Sequence, residues 1–197
     1  MGNGYEEACA VEKKAMLDLV PFLRDNIAFE GRFVVTSKGR LAPMLQKSVG
    51  DVLVNTDAET LWSVEIKSEA RTTGNLFLET WSNSPRFTLG WMYTLNADIL
   101  WYYFMDTGKL YSMSFPSLKR WAFYDRNKHG VAGKLYEYRE VEQKKHAQLN
   151  ITCGRIVPIV DIECAIGMKT WHVASNELVK DAKPPKQQSL FGGDKAA

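Results

Sequence analysis

The first apolar pattern in the chain has a helical period. Ala8, Val11, Ala15, Leu19 and Phe22 fall on one face, so residues 5–20 predict an amphipathic helix that Pro21 should end or kink. The period then drops to two. Phe33, Val34, Val35 and Thr36 form a candidate first strand, and residues 52–54 and 61–66 are short β-branched runs. The polar stretch 56–60 between those runs predicts a hairpin loop. Residues 75–82 predict the next strand. Residues 99–104 (Ile99 to Phe104) are apolar on both faces, as in the middle of a covered sheet. Asp106 to Lys109 reads as a turn, with residues 110–113 returning as its hairpin partner. Leu118, Trp121 and Ala122 resume helical spacing behind Pro116, and Ser114 is placed to cap that helix.

Beyond Val131 the pattern blurs. Residues 136–145 are highly charged. Residues 155–161 predict an edge strand because Pro158 lies among them, and residues 171–179 predict a short final helix. No chemistry is assigned to residues 131–179 beyond covering the back of the core. The whole predicts an α/β fold, a mixed central β-sheet flanked by helices. One domain spans residues 1–179, and a flexible tail covers 180–197.

Composition changes this picture little. A chain of 197 residues suits one domain with a real core, and a formal net charge of +2 makes any basic surface a local one. Cys9, Cys153 and Cys164 are odd in number and lack Cys-x-x-Cys spacing, which fits a reducing compartment. The three histidines are scattered, so a zinc site is not expected. Charges interrupt the N-terminus, and the longest apolar run, residues 99–105, is too short to span a bilayer. The expectation is a soluble, cytoplasmic protein without a membrane partner.

Chemistry concentrates at residues 50–67. Along a strand side chains alternate faces, so Glu65 and Lys67 point one way while Val64 and Ile66 point into a core. Asp51 opens the preceding strand, and an antiparallel hairpin can bring it beside them. Carboxylates are hard oxygen ligands for Mg²⁺, and a lysine can position a water or offset charge on a phosphorane. The triplet Glu-x-Lys alone carries nothing, since Glu12-Lys13-Lys14 and Glu142-Gln143-Lys144 repeat it in polar or helical settings. The upstream aspartate and the strand context set residues 65–67 apart.

This arrangement resembles the PD-(D/E)XK superfamily of nucleases, the restriction-endonuclease-like fold, over residues 33–111. Asp51 matches the first acid, Glu65 the second and Lys67 the lysine, while Gly50 stands where the motif's name has proline. Residues 74–83, 90–94 and 97–104 resemble a phage- and plasmid-borne branch of these nucleases. The resemblance implies a restriction-endonuclease-like core and an Mg²⁺- or Mn²⁺-dependent deoxyribonuclease. Asp51 and Glu65 would bind the cation, with the Ile66 carbonyl as an extra ligand, and Lys67 would assist the attacking water or the transition state.

Several neighbours have two readings. Glu12, about 40° from Ala8 around the helix, is either the extra acid that some branches carry or a solvated glutamate paired with a lysine. Glu79 either faces solvent, pairs with Lys67 or Arg71, or adds a third carboxylate to the metal site. Residues 31–50 hold Arg32, Lys38, Arg40 and Lys47 and no acid, so they are either a phosphate-tracking loop or an ordinary surface loop. Arg71, on the polar loop after Lys67, joins Lys38, Arg40 and Lys47 as a candidate DNA contact. Arg86, Trp91 and Tyr93 could stack on or wedge beside a base, although Trp91 equally suits the underside of the sheet. Lys119, Arg120 and Arg126 are either phosphate contacts or a solvated helix face.

Past Val179 the composition turns polar, with Pro184 and Pro185 in a linker. Gln187-Gln188-Ser189-Leu190-Phe191 follows and resembles the bacterial β sliding-clamp-binding motif. Gln187 would bond the pocket rim, and Leu190 and Phe191 would fill its floor. Gln188 departs from the preferred leucine, which implies weaker docking. Both resemblances point to DNA. The expected activity is endonucleolytic, in bacterial or phage replication, repair or recombination. The alternative is a non-catalytic DNA-binding or clamp-binding adaptor. Oligomeric state stays open, a homodimer included.

Overall fold

The computed structural model describes residues 4–36, 50–124, 133–145 and 150–183. Helix α1 (Gly4–Asn26) leads into strands β1 (Phe33–Val35), β2 (Val52–Asn55), β3 (Leu61–Glu69), β4 (Asn75–Asn83) and β5 (Thr88–Leu89). The short helix α2 (Trp91–Thr94), β6 (Ile99–Phe104), β7 (Lys109–Ser114) and helix α3 (Phe115–Phe123) come next. The chain continues through β8 (Glu140–Lys145), β9 (Asn150–Pro158), helix α4 (Ile159–Ile166), β10 (Met168–His172) and β11 (Glu177–Ala182). Among the described residues, no helix is long and apolar enough to cross a membrane.

The expected mixed sheet is present and large. Its order is β1-β2-β3-β6-β7-β10-β11, and β3 runs parallel to β6 while every other pair is antiparallel. Helix α1 covers one face through Ala15, Leu19, Phe22 and Leu23, which pack on Val52, Val54, Val64, Trp101, Tyr103 and Leu110. The other face carries Leu100, Tyr102 and Phe104 into a second core with α3, α4 and the inner face of a second sheet. Residues 99–104 are therefore covered on both faces, as their unbroken apolar run predicts.

The second sheet is antiparallel, in the order β5-β4-β9-β8. The expected strand at 75–82 is present as β4, but it belongs here and pairs Leu76 with Val157. Residues 155–161, expected as an edge strand, form instead the end of β9, which lies between β4 and β8, and the start of α4. Pro158 sits where strand gives way to helix, a position that needs no ladder hydrogen bond from it.

Of the two outcomes expected at Pro21, ending the helix is excluded, and the helix expected at 171–179 is overturned. Pro21 neither ends α1 nor stops its packing, since the helix continues to Asn26. Phe22 and Leu23 just beyond are buried, and Phe22 meets Trp101 and Trp171 edge-on with centroids at 6.1 and 5.5 Å. Burying two such side chains is worth about 1.5–3 kcal/mol each, enough to offset the roughly 3 kcal/mol of an internal proline. Residues 171–179, expected as a helix, form the β10–β11 hairpin. Its turn ends on Asn176 at φ 57°, a left-handed conformation that asparagine tolerates well. Strand β11 also carries order three residues past the boundary expected at 179, and Lys180 Nζ lies 2.7 Å from Glu163 Oε2.

The two central strands of the second sheet meet at Gly154, where a Cβ would stand 2.6 Å from the Phe77 ring and 2.8 Å from the Leu78 carbonyl oxygen. Gly154→Ala is expected to cost about 1–3 kcal/mol by overpacking. Adding Phe77→Leu should recover part of that loss, because the ring is one of the two groups in the way. Urea unfolding of the single and double variants measures both, and strictly additive losses would contradict the contact.

Candidate active site

Strand β2 begins at Val52, one residue after Asp51, and this boundary shapes the site. Val52 is the last β2 residue paired with β3, opposite Val64, so among the described residues no strand pairs with β3 on that side from Ile66 onward. Asp51 fills the gap twice. Its N–H donates to the Val64 carbonyl at 2.9 Å, and its Oδ2 accepts the Ile66 N–H at 2.9 Å. In a strand the N–H and C=O of one residue leave the same side, so the Ile66 carbonyl is directed along this open edge too.

Gly50 makes the turn possible. Its φ is 82°, and a Cβ there would lie 2.9 Å from the Val64 carbonyl oxygen. Proline, held near φ −65°, cannot take this conformation. The glycine that replaces the motif's proline is thus required by this backbone. The Gly50 carbonyl accepts the Thr36 hydroxyl at 2.5 Å, and the Asp51 carbonyl accepts the Thr36 N–H at 2.8 Å, which fixes the turn to the end of β1.

Glu65 and Lys67 share one face of β3, as the alternation predicts, while Val64 and Ile66 join the α1 core. Lys67 Nζ lies 2.6 Å from Glu65 Oε1, and their side chains keep 31% and 9% of their surface exposed. The ammonium also stands over the Trp91 ring, 5.5 Å from its centroid. Glu79 arrives from β4 in the second sheet, and its Oε1 accepts the Trp91 N–H at 3.3 Å. Trp91 packs against the core, as its second reading expects, and also lines the cleft.

The cleft holds about 920 Å³. Asp51, Glu65, Ile66, Lys67, Glu79, Arg71 and Glu12 all line it, so the described candidates for metal binding and catalysis come to one place together with Arg71. Gln143 and Ile156, from a region given no chemistry, supply part of the opposite wall. The loop carrying Arg71 is anchored by Thr72, whose N–H and hydroxyl donate to Asp106 at 2.9 and 2.7 Å. At the floor the Tyr102 hydroxyl donates to Glu69, and burial raises the Glu69 carboxyl above the usual range despite that bond.

Other candidates fare differently. Lys38, Arg40, Lys47 and Arg126, with Gln187, Leu190 and Phe191, lie outside the described residues. Lys119 is engaged elsewhere, donating to the Tyr93 and Leu95 carbonyls at 3.2 and 3.1 Å, where it closes the end of α2. Tyr93 stacks on Phe123 with centroids at 4.5 Å and shares a hydroxyl hydrogen bond with Tyr136, so it belongs to the α3 side. Arg86 is exposed.

The electrostatics follow from crowding. Burial pushes the Glu65 carboxyl up; Lys67 opposes that, Asp51 and Glu12 add to it, and the net is a rise. Burial pulls the Lys67 ammonium down, but Glu65, Asp51 and Glu79 outweigh it and the net is again a rise. With both folded values above the unfolded ones, each group's contribution to stability is fully present below its unfolded value. Each is lost as pH rises through the folded value, from above the ordinary carboxylate range for Glu65 and above the ordinary lysine range for Lys67. Among the described residues, no three His, Cys, Asp or Glu side chains are gathered closely enough to hold a metal ion.

No protein-family model, curated protein or solved structure matches the chain.

Lys67→Gln is expected to move the Glu65 titration higher and Asp51→Asn to move it lower, followed through the carboxyl carbon by NMR. A Glu65 midpoint unmoved by both changes would contradict the electrostatic picture. Gly50→Ala is expected to destabilise the protein by about 1–3 kcal/mol through backbone strain and close contact. Urea unfolding against the wild type checks it.

Proposed function

We propose that the chain is a metal-dependent deoxyribonuclease of the PD-(D/E)XK kind, with a restriction-endonuclease-like core. It cleaves phosphodiester bonds endonucleolytically during bacterial or phage DNA replication, repair or recombination. One observation supports this reading: Asp51, just before β2, and Glu65 and Lys67, on neighbouring β3, meet in one cleft with Lys67 Nζ 2.6 Å from Glu65 Oε1.

The donor set suits a hard divalent cation. Asp51 and Glu65 supply carboxylate oxygens, the Ile66 carbonyl lies along the same edge, and Glu79 and Glu12 border the cleft. The raised proton affinity of Glu65, buried beside Asp51 and Glu12, marks negative charge that a cation would relieve. Mg²⁺ or Mn²⁺ bound there supplies Lewis acidity to the scissile phosphate. Glu65 must be ionised to serve as a ligand, so binding releases a proton at acidic pH. Lys67, once its ammonium turns from Glu65, orients the attacking water or offsets charge on the phosphate oxygens. Arg71, at the rim, holds the backbone of the bound strand. The segment from Gln187 to Phe191 recruits the β sliding clamp.

A non-catalytic DNA-binding or clamp-binding adaptor is the second reading. It is favoured by the Lys67 ammonium standing among the carboxylates, where among the described residues no three acids are close enough to hold a metal ion.

Duplex, single-stranded, flap and four-way-junction DNA incubated with Mg²⁺ or Mn²⁺ test the proposal. Cleavage by the wild type is expected, with a loss of at least about 100-fold in Asp51→Ala, Glu65→Ala and Lys67→Ala, and with chelator. Wild-type cleavage unaffected by all three changes would sink the assignment. Removing residues 187–197 is expected to abolish clamp binding and leave cleavage of free oligonucleotides intact, as read by pull-down with purified clamp.

A further inference from the structure

Phe87 is the most exposed large apolar side chain among the described residues, at 81%. It is also in a left-handed conformation, φ 52°, at the end of the turn 84–86, with its N–H donating to the Ser84 carbonyl at 3.0 Å. A bulky residue there carries steric strain that glycine would avoid, and an exposed ring returns almost no burial for it. The turn aims the ring. Trp81 meets it in a T-shaped contact, centroids 6.4 Å apart and planes at 80°, which braces a ring that stays largely exposed.

This pair follows the cleft-lining part of β4 along the chain. Leu76, Leu78 and Thr80 are buried, while Phe77, Glu79 and Trp81 are half-buried. Phe77 and Glu79 line the cleft, and the β4–β9 register shifts by one residue between Glu79 and Trp81, a bulge that re-aims the strand just past the cleft. Strand β5 adds exposed Leu89, paired opposite Trp81. Charge favours a polyanion here, because Arg86 precedes Phe87 and no acid occurs between Glu79 and Asp98.

We propose that Phe87, braced by Trp81 and flanked by Arg86, is a stacking subsite for an unpaired nucleobase, so that the substrate is nucleic acid with unpaired bases next to the scissile phosphate. The proposal rests on the reading of the cleft as a phosphodiester-cleaving site. Every base has a face that an aromatic ring can cover, and Arg86 can hold the adjoining phosphate, so the subsite selects unpaired over fully paired strands without reading sequence.

The test is fluorescence anisotropy with a labelled oligothymidine and a labelled duplex, using full-length Glu65→Ala protein in chelator so that no cleavage intervenes. Adding Phe87→Ala is expected to weaken oligothymidine binding about 5- to 150-fold and to lower the ratio of single-strand to duplex affinity. Phe87→Trp should retain the parent affinity, and thermal unfolding should show both variants folded. Oligothymidine affinity equal to the parent's in Phe87→Ala, or no oligothymidine binding by the parent, overturns the proposal. So does loss of self-association in Phe87→Ala, seen by sedimentation, with oligonucleotide affinity unchanged; the patch is then a protein contact. Wild type that cleaves nothing, with single-strand binding still dependent on Phe87, removes the nuclease reading and leaves the subsite. Wild type that cleaves, with Phe87→Ala binding and cutting every substrate like the parent, does the reverse.

Discussion

The Ile66 N–H is the group on which the cleft depends. Where β2 leaves the large sheet, a buried strand edge would keep an unpaired donor, and such a group costs about 1–3 kcal/mol. The Asp51 carboxylate takes that bond at 2.9 Å. It thereby ends the β2–β3 pairing, turns the edge of β3 toward solvent and brings an acid beside Glu65 and Lys67. A second strand residue at this place would satisfy the same N–H but close the edge. The structural bond and the chemical opportunity are therefore one interaction, and Gly50, at φ 82°, supplies the backbone that allows it.

Around that point charge is concentrated rather than dispersed. Glu65 keeps only 9% of its side-chain surface, yet it has Asp51 and Glu12 as acidic neighbours. Lys67 offsets part of this, and its own charge is held by Glu65, Asp51 and Glu79 together. A buried ion pair of this kind is a weak source of stability, because desolvation opposes the attraction. Its place in a cleft of about 920 Å³ is in keeping with the proposed site.

Local signals in the sequence were read well, and distant ones poorly. The 56–60 hairpin loop was visible because Asp57 caps its own turn, accepting the Glu59 and Thr60 N–H groups at 2.9 and 2.7 Å. The shared face of Glu65 and Lys67 follows from strand alternation alone, and the buried strand at 99–104 from its unbroken apolar run. The second sheet was not legible, since β4 finds its partner about eighty residues on, at Leu76 and Val157, and no local pattern encodes that pairing. For the same reason Glu79's route to the cleft was left open. Residues 171–179 form a hairpin in place of the expected helix, and the two-residue spacing of Trp171 and Val173 already follows a strand. Asn176, the residue that marks the turn, is a weaker signal than glycine.

The wide sequence gap between β4 and β9 has a consequence for the order of assembly. By the time β7 has left the ribosome, Asp51, Glu65 and Lys67 have all the strands of the large sheet that surround them, β1, β2, β3 and β6. The facing wall does not yet exist, because β4 has no β9 to hold it until residue 158 is made. Closing so long a loop is slow relative to forming the hairpins that precede it. The growing chain therefore carries Asp51, Glu65 and Lys67 on an open sheet, and the cleft closes only when the last third of the chain folds back over it.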